Sequence, residues 1–138
     1  MNDIVSEIPT PSAVDWTALR EVAAEARTRA YAPYSNFAVG AAGLCADGRV
    51  FAGCNVENAS YGLSLCAECV LVGNLVVAGG GRLVAVSVAG PGADPLTPCG
   101  RCRQLLIEHG GPELQIDAVV PVTIGDLLPA AFGPHELR

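Results

Sequence analysis

Four of the six cysteines stand in two Cys-x-x-Cys pairs, and the spacing between the pairs limits what the chain can fold into. The pairs are Cys66/Cys69 and Cys99/Cys102, with 29 residues between Cys69 and Cys99. Two such pairs are typical of a zinc site, but this gap is too long for a zinc ribbon and contains a predicted helix and a predicted strand. We therefore predict a metal site inside a larger fold. Each pair lies where a loop enters a helix, whose positive end stabilises thiolates, and the spacing leaves open whether all four cysteines bind.

Helical and strand patterns alternate along the chain. The first helix is amphipathic, with Asp15 or Ser12 as its cap, and Asp47-Gly48 is typical of a hairpin turn. The second helix is apolar on nearly every side, so we expect it to be deeply buried. The predicted helices cover residues 14–30, 65–78 and 100–109, and the predicted strands cover 37–46, 50–56, 83–89, 114–120 and 122–124.

This order of elements predicts an α/β protein. Helices placed between strands indicate a three-layer α/β/α sandwich around a mixed, roughly five-stranded sheet, in which strands joined through a helix are parallel. Residues 1–13 are expected to form a flexible N-terminal tail, and residues 14–138 a single domain.

The composition of the chain limits the classes of partner that it can bind. Fourteen acidic residues against eight basic ones give a formal charge of −6, so we expect no nucleic-acid partner. No segment reaches the ~18 apolar residues of a membrane span, and the N-terminus does not resemble a signal peptide, which predicts no membrane association and a cytoplasmic location. Hydrophobic residues make up 51% of the chain, a surplus that suggests a subunit interface.

Glu68 indicates which kind of metal site this is. It stands two positions after Cys66 in an apolar segment, where an unpaired carboxylate is costly to bury. A structural zinc site has no use for a nearby acid, whereas a catalytic zinc keeps one position for water and needs a group that moves protons. His109 and His135 lie outside the motifs, which favours an all-cysteine site. A structural zinc site or a redox pair remains the alternative.

The Cys-x-Glu and Pro-Cys-x-x-Cys signature is that of the zinc nucleobase deaminases, and the chain resembles the small cytidine deaminases in particular. The resemblance is carried by YAPYSNFAVGAA at 31–42, GCNVENASYGLSLCAE at 53–68, PCGRCRQ at 98–104 and LLPAAFGP at 127–134. It implies that residues 14–138 form a cytidine deaminase-like catalytic domain. This domain would convert cytidine and deoxycytidine to uridine and deoxyuridine with release of ammonia, in pyrimidine salvage.

The resemblance also implies roles for individual residues. Cys66, Cys99 and Cys102 would bind Zn²⁺, and Glu68 would be the proton shuttle. In the nucleoside site, Phe37 would stack near the pyrimidine, Asn55 and Glu57 would hold a ribose hydroxyl, and the backbone at Ala67 would read the base. The residues expected to reach the site of a neighbouring subunit in a homotetramer are Ala59, Tyr61 and Phe132.

Without the resemblance, several of these residues have ordinary interpretations. Phe37 and Phe132 could be core or interface aromatics, Asn55 a turn residue or cap, and Glu57 a solvated charge. Cys45 and Cys54 are best interpreted as small core residues.

Cys69 departs from the family pattern, which usually has arginine there. We expect Cys69 to stay a thiol beside the site, while the helix ends, Arg101 or Arg103 offset the charge of three thiolates. Two other functions stay open. One is deamination of a related aminopyrimidine, such as a nucleoside antibiotic, and the other is a non-enzymatic module built around a structural zinc.

Overall fold

The computed structural model describes residues 13–138, in which helices alternate with strands. The predicted tail, residues 1–13, therefore lies outside the described residues except for Ala13. Short 3-10 turns cover Tyr61–Leu63 and Pro134–Leu137. In chain order the elements are α1 (Trp16–Arg27), β1 (Gly40–Cys45), β2 (Val50–Cys54), α2 (Ala67–Val77), β3 (Leu83–Ala89), α3 (Gly100–Gly110), β4 (Gln115–Ile116), β5 (Val122–Thr123) and α4 (Ile124–Leu127).

The five strands form one mixed sheet in the order β2-β1-β3-β4-β5. β1 is antiparallel to both β2 and β3, β3 is parallel to β4, and β4 is antiparallel to β5. The hairpin between β1 and β2 turns at Gly48, whose φ of 91° favours glycine. The predicted mixed sheet is confirmed, as is the parallel pairing of β3 with β4 across α3.

Helices cover both faces of the sheet. Successive residues of β1 point to opposite sides: Ala41 belongs to a buried cluster with Leu71 of α2 and Leu106 of α3, whereas Ala42 packs with Leu19 of α1 in a second cluster. This alternation is what a pleated strand between two helical layers requires. The three-layer α/β/α sandwich is thereby confirmed.

The expected deep burial of the second helix holds only for one of its faces in the single chain. Leu71 and Leu75 of α2 are fully buried, but Val76 and Val77 are 54% and 90% exposed. An apolar pattern indicates that a helix face is shielded from water. It does not indicate whether the same chain or another subunit covers that face. Neither α2 nor any other helix within residues 13–138 could span a membrane.

The last two strands are shorter than predicted. Pairing between β4 and β5 is confined to Gln115–Ile116 and Val122–Thr123, and Val119 and Val120 between them are exposed. The chain leaves the sheet after Asp117, whose buried carboxylate accepts two hydrogen bonds of 2.7 Å from the Arg20 guanidinium of α1.

One glycine fixes how closely the sheet approaches α2. A Cβ on Gly53 of β2 would collide with the carbonyl oxygen of Ala67 and the backbone nitrogen of Leu71. Only glycine lets β2 lie against the first turn of α2, which carries Cys66 and Glu68 at its start.

Replacing this glycine should therefore destabilise the protein. For Gly53→Ala we expect the free energy of unfolding to fall by about 1–3 kcal/mol, because the added methyl group overpacks a backbone contact. Urea unfolding followed by circular dichroism measures this value. Gly92→Ala is the matched control, since a Cβ there would meet no atom within 4 Å. Equal stability of the two variants would contradict the prediction.

Candidate active site

The N-termini of α2 and α3 meet at two cysteines. Cys66 is the N-cap of α2 and Cys99 is the N-cap of α3, and neither side chain caps its own helix. Their Sγ atoms lie 3.8 Å apart. Cys102, in the first turn of α3, completes a group of three Sγ atoms that all lie within 4.8 Å of one another.

This group fits a zinc ion. Tetrahedral Zn²⁺ with Zn–S bonds of about 2.3 Å places its ligand sulfurs about 3.8 Å apart, which matches the Cys66–Cys99 separation. Within residues 13–138, Cys69 does not belong to this group of mutually close metal-binding atoms. The six cysteines, all of which lie in the described part of the chain, are free thiols.

The electrostatics of the three thiols also fit a cation. Burial raises the pKa of Cys66, and burial together with the charge of Glu68 raises the pKa of Cys102 far above its usual range. Burial also acts to raise the pKa of Cys99, but hydrogen bonds from the backbone and thiol of Cys102 outweigh it and lower that pKa. Three adjacent thiolates therefore need a positive charge, and a divalent metal ion supplies one.

Glu68 lies beside the three thiols. It is in the first turn of α2, where the helix end favours a carboxylate, and it is only 4% exposed. Its Oε2 accepts a hydrogen bond from the Cys102 thiol at 3.4 Å. A buried carboxylate next to a candidate metal site can take and return protons there.

A cavity of about 270 Å³ opens beside the thiols and Glu68. It brings together four of the predicted nucleoside-binding residues, which are Phe37, Asn55, Glu57 and Ala67. The full lining consists of Phe37, Val39, Asn55, Glu57, Ser64, Leu65, Cys66, Ala67, Glu68, Val88, Leu96, Thr97 and Cys99.

Asn55, the residue after β2, holds the end of that strand against the segment that carries Phe37. Its Oδ1 accepts from the backbone N–H of Val39 at 2.9 Å, and its Nδ2 donates to the carbonyl of Phe37 at 2.8 Å. Asn55 thus acts as a turn-fixing residue and also lines the cavity, so the two interpretations made from the sequence are compatible.

Glu57 is held by the same segment. Its Oε1 accepts from the backbone N–H groups of Tyr34 and Ser35 at 3.0 and 3.1 Å, and its Oε2 accepts from the Ser35 hydroxyl. The Ser35 hydroxyl and these two N–H groups lower the pKa of Glu57. Glu57 is therefore not a free surface charge. Ser35 could not be predicted as part of this arrangement, because a serine in a turn is ordinary.

The structure does not bring Ala59, Tyr61 and Phe132 into the cavity of their own chain. All three are exposed, Tyr61 at 76% and Phe132 at 58%. Tyr61 packs edge-on against Tyr34 with ring centroids 6.0 Å apart. Phe132 lines a different cavity, of about 320 Å³, between α3 and the C-terminal segment, and none of the three clustered cysteines lines that cavity.

Cys69 is contacted by one of the two arginines considered from the sequence. Arg101 donates from Nη2 to the Cys69 Sγ at 3.4 Å. Arg103 donates instead to the carbonyls of Pro98 and Leu127, at 2.8 and 2.9 Å. Arg103 therefore fixes the loop before α3, and Arg101 is the cation beside the thiols.

A family model of the "cytidine and deoxycytidylate deaminase zinc-binding region" matches residues 15–118. The chain belongs to the cytidine and deoxycytidylate deaminase family. The matched range contains the three clustered cysteines and Glu68, so this deaminase carries the family's zinc-binding region at the site described above.

Several relatives of this deaminase match over nearly their whole length. The cytidine deaminase of Mycobacterium tuberculosis (strain H37Rv) is 59% identical over 125 residues, which cover 90% of this chain and 94% of that protein. The crystal structure of cytidine deaminase from Mycobacterium tuberculosis superposes with a TM-score of 0.84 at 60% identity, covering 87% of this chain and 98% of that one. The structure from Mycobacterium leprae gives a TM-score of 0.81 at 57% identity, covering 84% and 98%.

Single cysteine substitutions should separate ligands from bystanders in this deaminase. We expect about one zinc per chain in the unsubstituted protein and almost none after Cys66→Ser, Cys99→Ser or Cys102→Ser, because each removes one of three thiolates from the site. Mass spectrometry of the metal in purified protein measures this ratio. Cys69→Ser and Cys54→Ser are the controls and should keep their zinc. Loss of zinc from Cys69→Ser would make Cys69 a ligand and contradict this assignment.

Proposed function

We propose that this chain deaminates free cytidine and deoxycytidine hydrolytically to uridine and deoxyuridine, with release of ammonia, as a pyrimidine-salvage enzyme. The observation that carries the proposal is Glu68, a buried carboxylate that lies beside three convergent thiols and lines the same cavity as Asn55 and Glu57. Proton transfer and recognition of a hydroxyl-bearing ligand can therefore take place in one cavity.

Cys66, Cys99 and Cys102 would hold Zn²⁺, for which their sulfur separations are suited. When bound, zinc supplies a Lewis acid that makes water a better nucleophile near neutral pH. Arg101, in contact with Cys69, adds a positive charge at the edge of the thiol group.

Glu68 would move the protons of the reaction. Its carboxylate accepts a proton from the attacking water as the oxygen bonds to carbon 4 of the cytosine ring, and it returns that proton to ring nitrogen 3. It then transfers the second proton of the water to the 4-amino group as the carbon–nitrogen bond breaks. The products are uridine and ammonia, and Glu68 ends ionised, as it began. One residue serves as base and then as acid.

The remaining cavity residues would position the nucleoside. The Phe37 ring offers a face for the pyrimidine, and the backbone at Ala67 would hydrogen-bond to the base. The Glu57 carboxylate would accept a hydrogen bond from a ribose hydroxyl, and the Asn55 amide would donate to one or accept from one. A site built around a hydroxyl rejects ligands that lack it, because its buried polar groups are then left unpaired.

The charges around the cavity favour a nucleoside over a nucleotide. Among residues 13–138, none of those that line this cavity is a lysine, arginine or histidine, and two of them, Glu57 and Glu68, are acidic. A phosphate group needs cationic or N–H donors and is repelled by carboxylates. The proposal therefore concerns free nucleosides and includes no nucleic-acid or membrane partner. We propose that the enzyme acts in the cytoplasm.

We also propose a homotetramer in which Ala59, Tyr61 and Phe132 complete the site of a neighbouring subunit. Their exposure supports this assembly, as do exposed apolar side chains near them in the chain, such as Leu63 at 65%. The exposed end of α2, with Val76 and Val77, is a second apolar surface of the kind that a further subunit buries.

Removing the carboxylate of Glu68 should slow turnover strongly without removing zinc. We expect Glu68→Gln to lower kcat by about 10²- to 10⁴-fold, the usual contribution of a general acid–base group. The fall in ultraviolet absorbance as cytidine is consumed measures kcat, and metal analysis of the same sample measures zinc. Glu21→Gln, on the exposed side of α1, is the control and should stay at the unsubstituted rate. An unchanged kcat in zinc-loaded Glu68→Gln would rule out the shuttle. Absence of turnover by the unsubstituted protein, when it is folded and zinc-loaded, would favour a structural-zinc module.

Mixed oligomers test whether Phe132 acts across a subunit boundary. Phe132→Ala and Glu68→Gln should each be poorly active alone, whereas co-refolded mixtures of the two should regain activity, because some sites combine an intact Glu68 with a neighbour's intact Phe132. Cytidine turnover of the separate and mixed proteins is compared at equal total concentration. If Phe132 serves its own chain, mixing restores nothing.

A further inference from the structure

Ser35 lies next to the proposed nucleoside cavity without lining it, and the reaction described above gives it no role. It is exposed, and its side chain makes two hydrogen bonds that both lead to cavity residues. Its hydroxyl donates to Oε2 of Glu57, and its Oγ accepts from the backbone N–H of Phe37 at 3.0 Å. One hydroxyl thus joins Phe37, which would hold the base, to Glu57, which would hold the ribose.

The backbone around Ser35 is shaped to make both contacts. Asn36, the next residue, has a φ of 55°, in the left-handed region that asparagine tolerates better than most residues. This conformation turns the chain so that the N–H of Phe37 faces back toward the Ser35 Oγ. The Asn36 N–H bonds to the carbonyl of Ala32 at 3.1 Å, which closes the turn from its other side.

The hydrogen bonds to Glu57 leave a limited number of acceptor sites free. A carboxylate has about four lone-pair positions. Two on Oε1 are used by the N–H groups of Tyr34 and Ser35, and one on Oε2 is used by the Ser35 hydroxyl. The position left for a ligand hydroxyl is on Oε2, the oxygen that Ser35 holds. The direction in which Glu57 can accept from a ligand therefore depends on Ser35.

We propose that Ser35 is a positioning residue that sets the affinity for a ribose hydroxyl by fixing Oε2 of Glu57 relative to the main chain of Phe37. The proposal rests on the proposed function, since it takes the ligand of Glu57 to be a nucleoside hydroxyl. Ser35 contacts neither the thiols nor Glu68, so it acts on binding and leaves the proton transfers alone.

The first test separates binding from chemistry. We expect Ser35→Ala to raise KM for cytidine about tenfold, the size of a weakened hydrogen bond to a charged group, while kcat stays within about twofold. The inhibition constant of 2′,3′-dideoxyuridine, which lacks the 2′- and 3′-hydroxyls of the ribose, should not change. Thr28→Ala removes another exposed hydroxyl, one that donates to the Glu25 carbonyl at the end of α1, and should change neither constant.

A double-mutant cycle with Glu57→Ala shows whether Ser35 acts through Glu57. If it does, Ser35→Ala has no further effect on KM once Glu57 is gone, so the two changes are strongly non-additive. Circular dichroism and metal analysis establish that each variant is folded and zinc-loaded.

Three results would overturn the role of Ser35: an unchanged KM in Ser35→Ala, a loss confined to kcat, or the same factor in KM in the Glu57→Ala background. These are distinct from failure of the proposed function, which would appear as absence of cytidine turnover by the unsubstituted, zinc-loaded protein.

Discussion

The thiols of Cys66 and Cys99 come within 3.8 Å of each other across 33 positions of sequence, and the sheet topology makes this meeting possible. β2 and β3 are both antiparallel to β1 and so run parallel to each other. The helices that follow them, α2 and α3, therefore begin at the same edge of the sheet. An open α/β sheet commonly places its ligand site at the carboxyl ends of its strands, where helix N-termini converge. Here the first residue before each helix is a cysteine, so the fold itself assembles the thiol group.

The same geometry explains how an acidic chain can hold so much negative charge in one place. Three thiols and the Glu68 carboxylate lie together, and none of the described residues that line the cavity beside them is cationic. The positive ends of two helices favour these groups, and Arg101 adds one full charge at their edge. Most of the balancing positive charge would come from the metal ion, because burial acts to raise the pKa of Cys66, Cys99 and Cys102 and so opposes thiolate formation. Metal binding and the ionisation of the site are thus a single event.

Secondary structure and site residues could be predicted from the sequence where a local pattern has one physical meaning. β3 was predicted at its exact bounds, because a Val-rich run lies between a glycine triplet and a proline-containing loop. Burial of α2 was overestimated, since Val76 and Val77 are apolar whether their own chain or another covers them. β4 was predicted too long, because the apolar run continues to Val120 and nothing local reveals that the chain leaves the sheet after Asp117, whose N–H still bonds to the carbonyl of Val86 at 2.9 Å. The zinc-site residues follow from a motif, whereas the role suggested for Ser35 depends on a turn conformation at Asn36 that no motif encodes.

The contacts of Asn55 and Glu57 hold two sides of the nucleoside cavity in place without a ligand. Its amide is already bonded to both sides of the segment that carries Phe37, and Glu57 is bonded to the residues just before it. The walls of the cavity are therefore in place before anything enters. A molecule that binds a preformed cavity does not have to order flexible side chains, so little of its interaction energy is lost to conformational entropy. A small ligand therefore meets Asn55 and Glu57 in positions that their contacts with the main chain already hold.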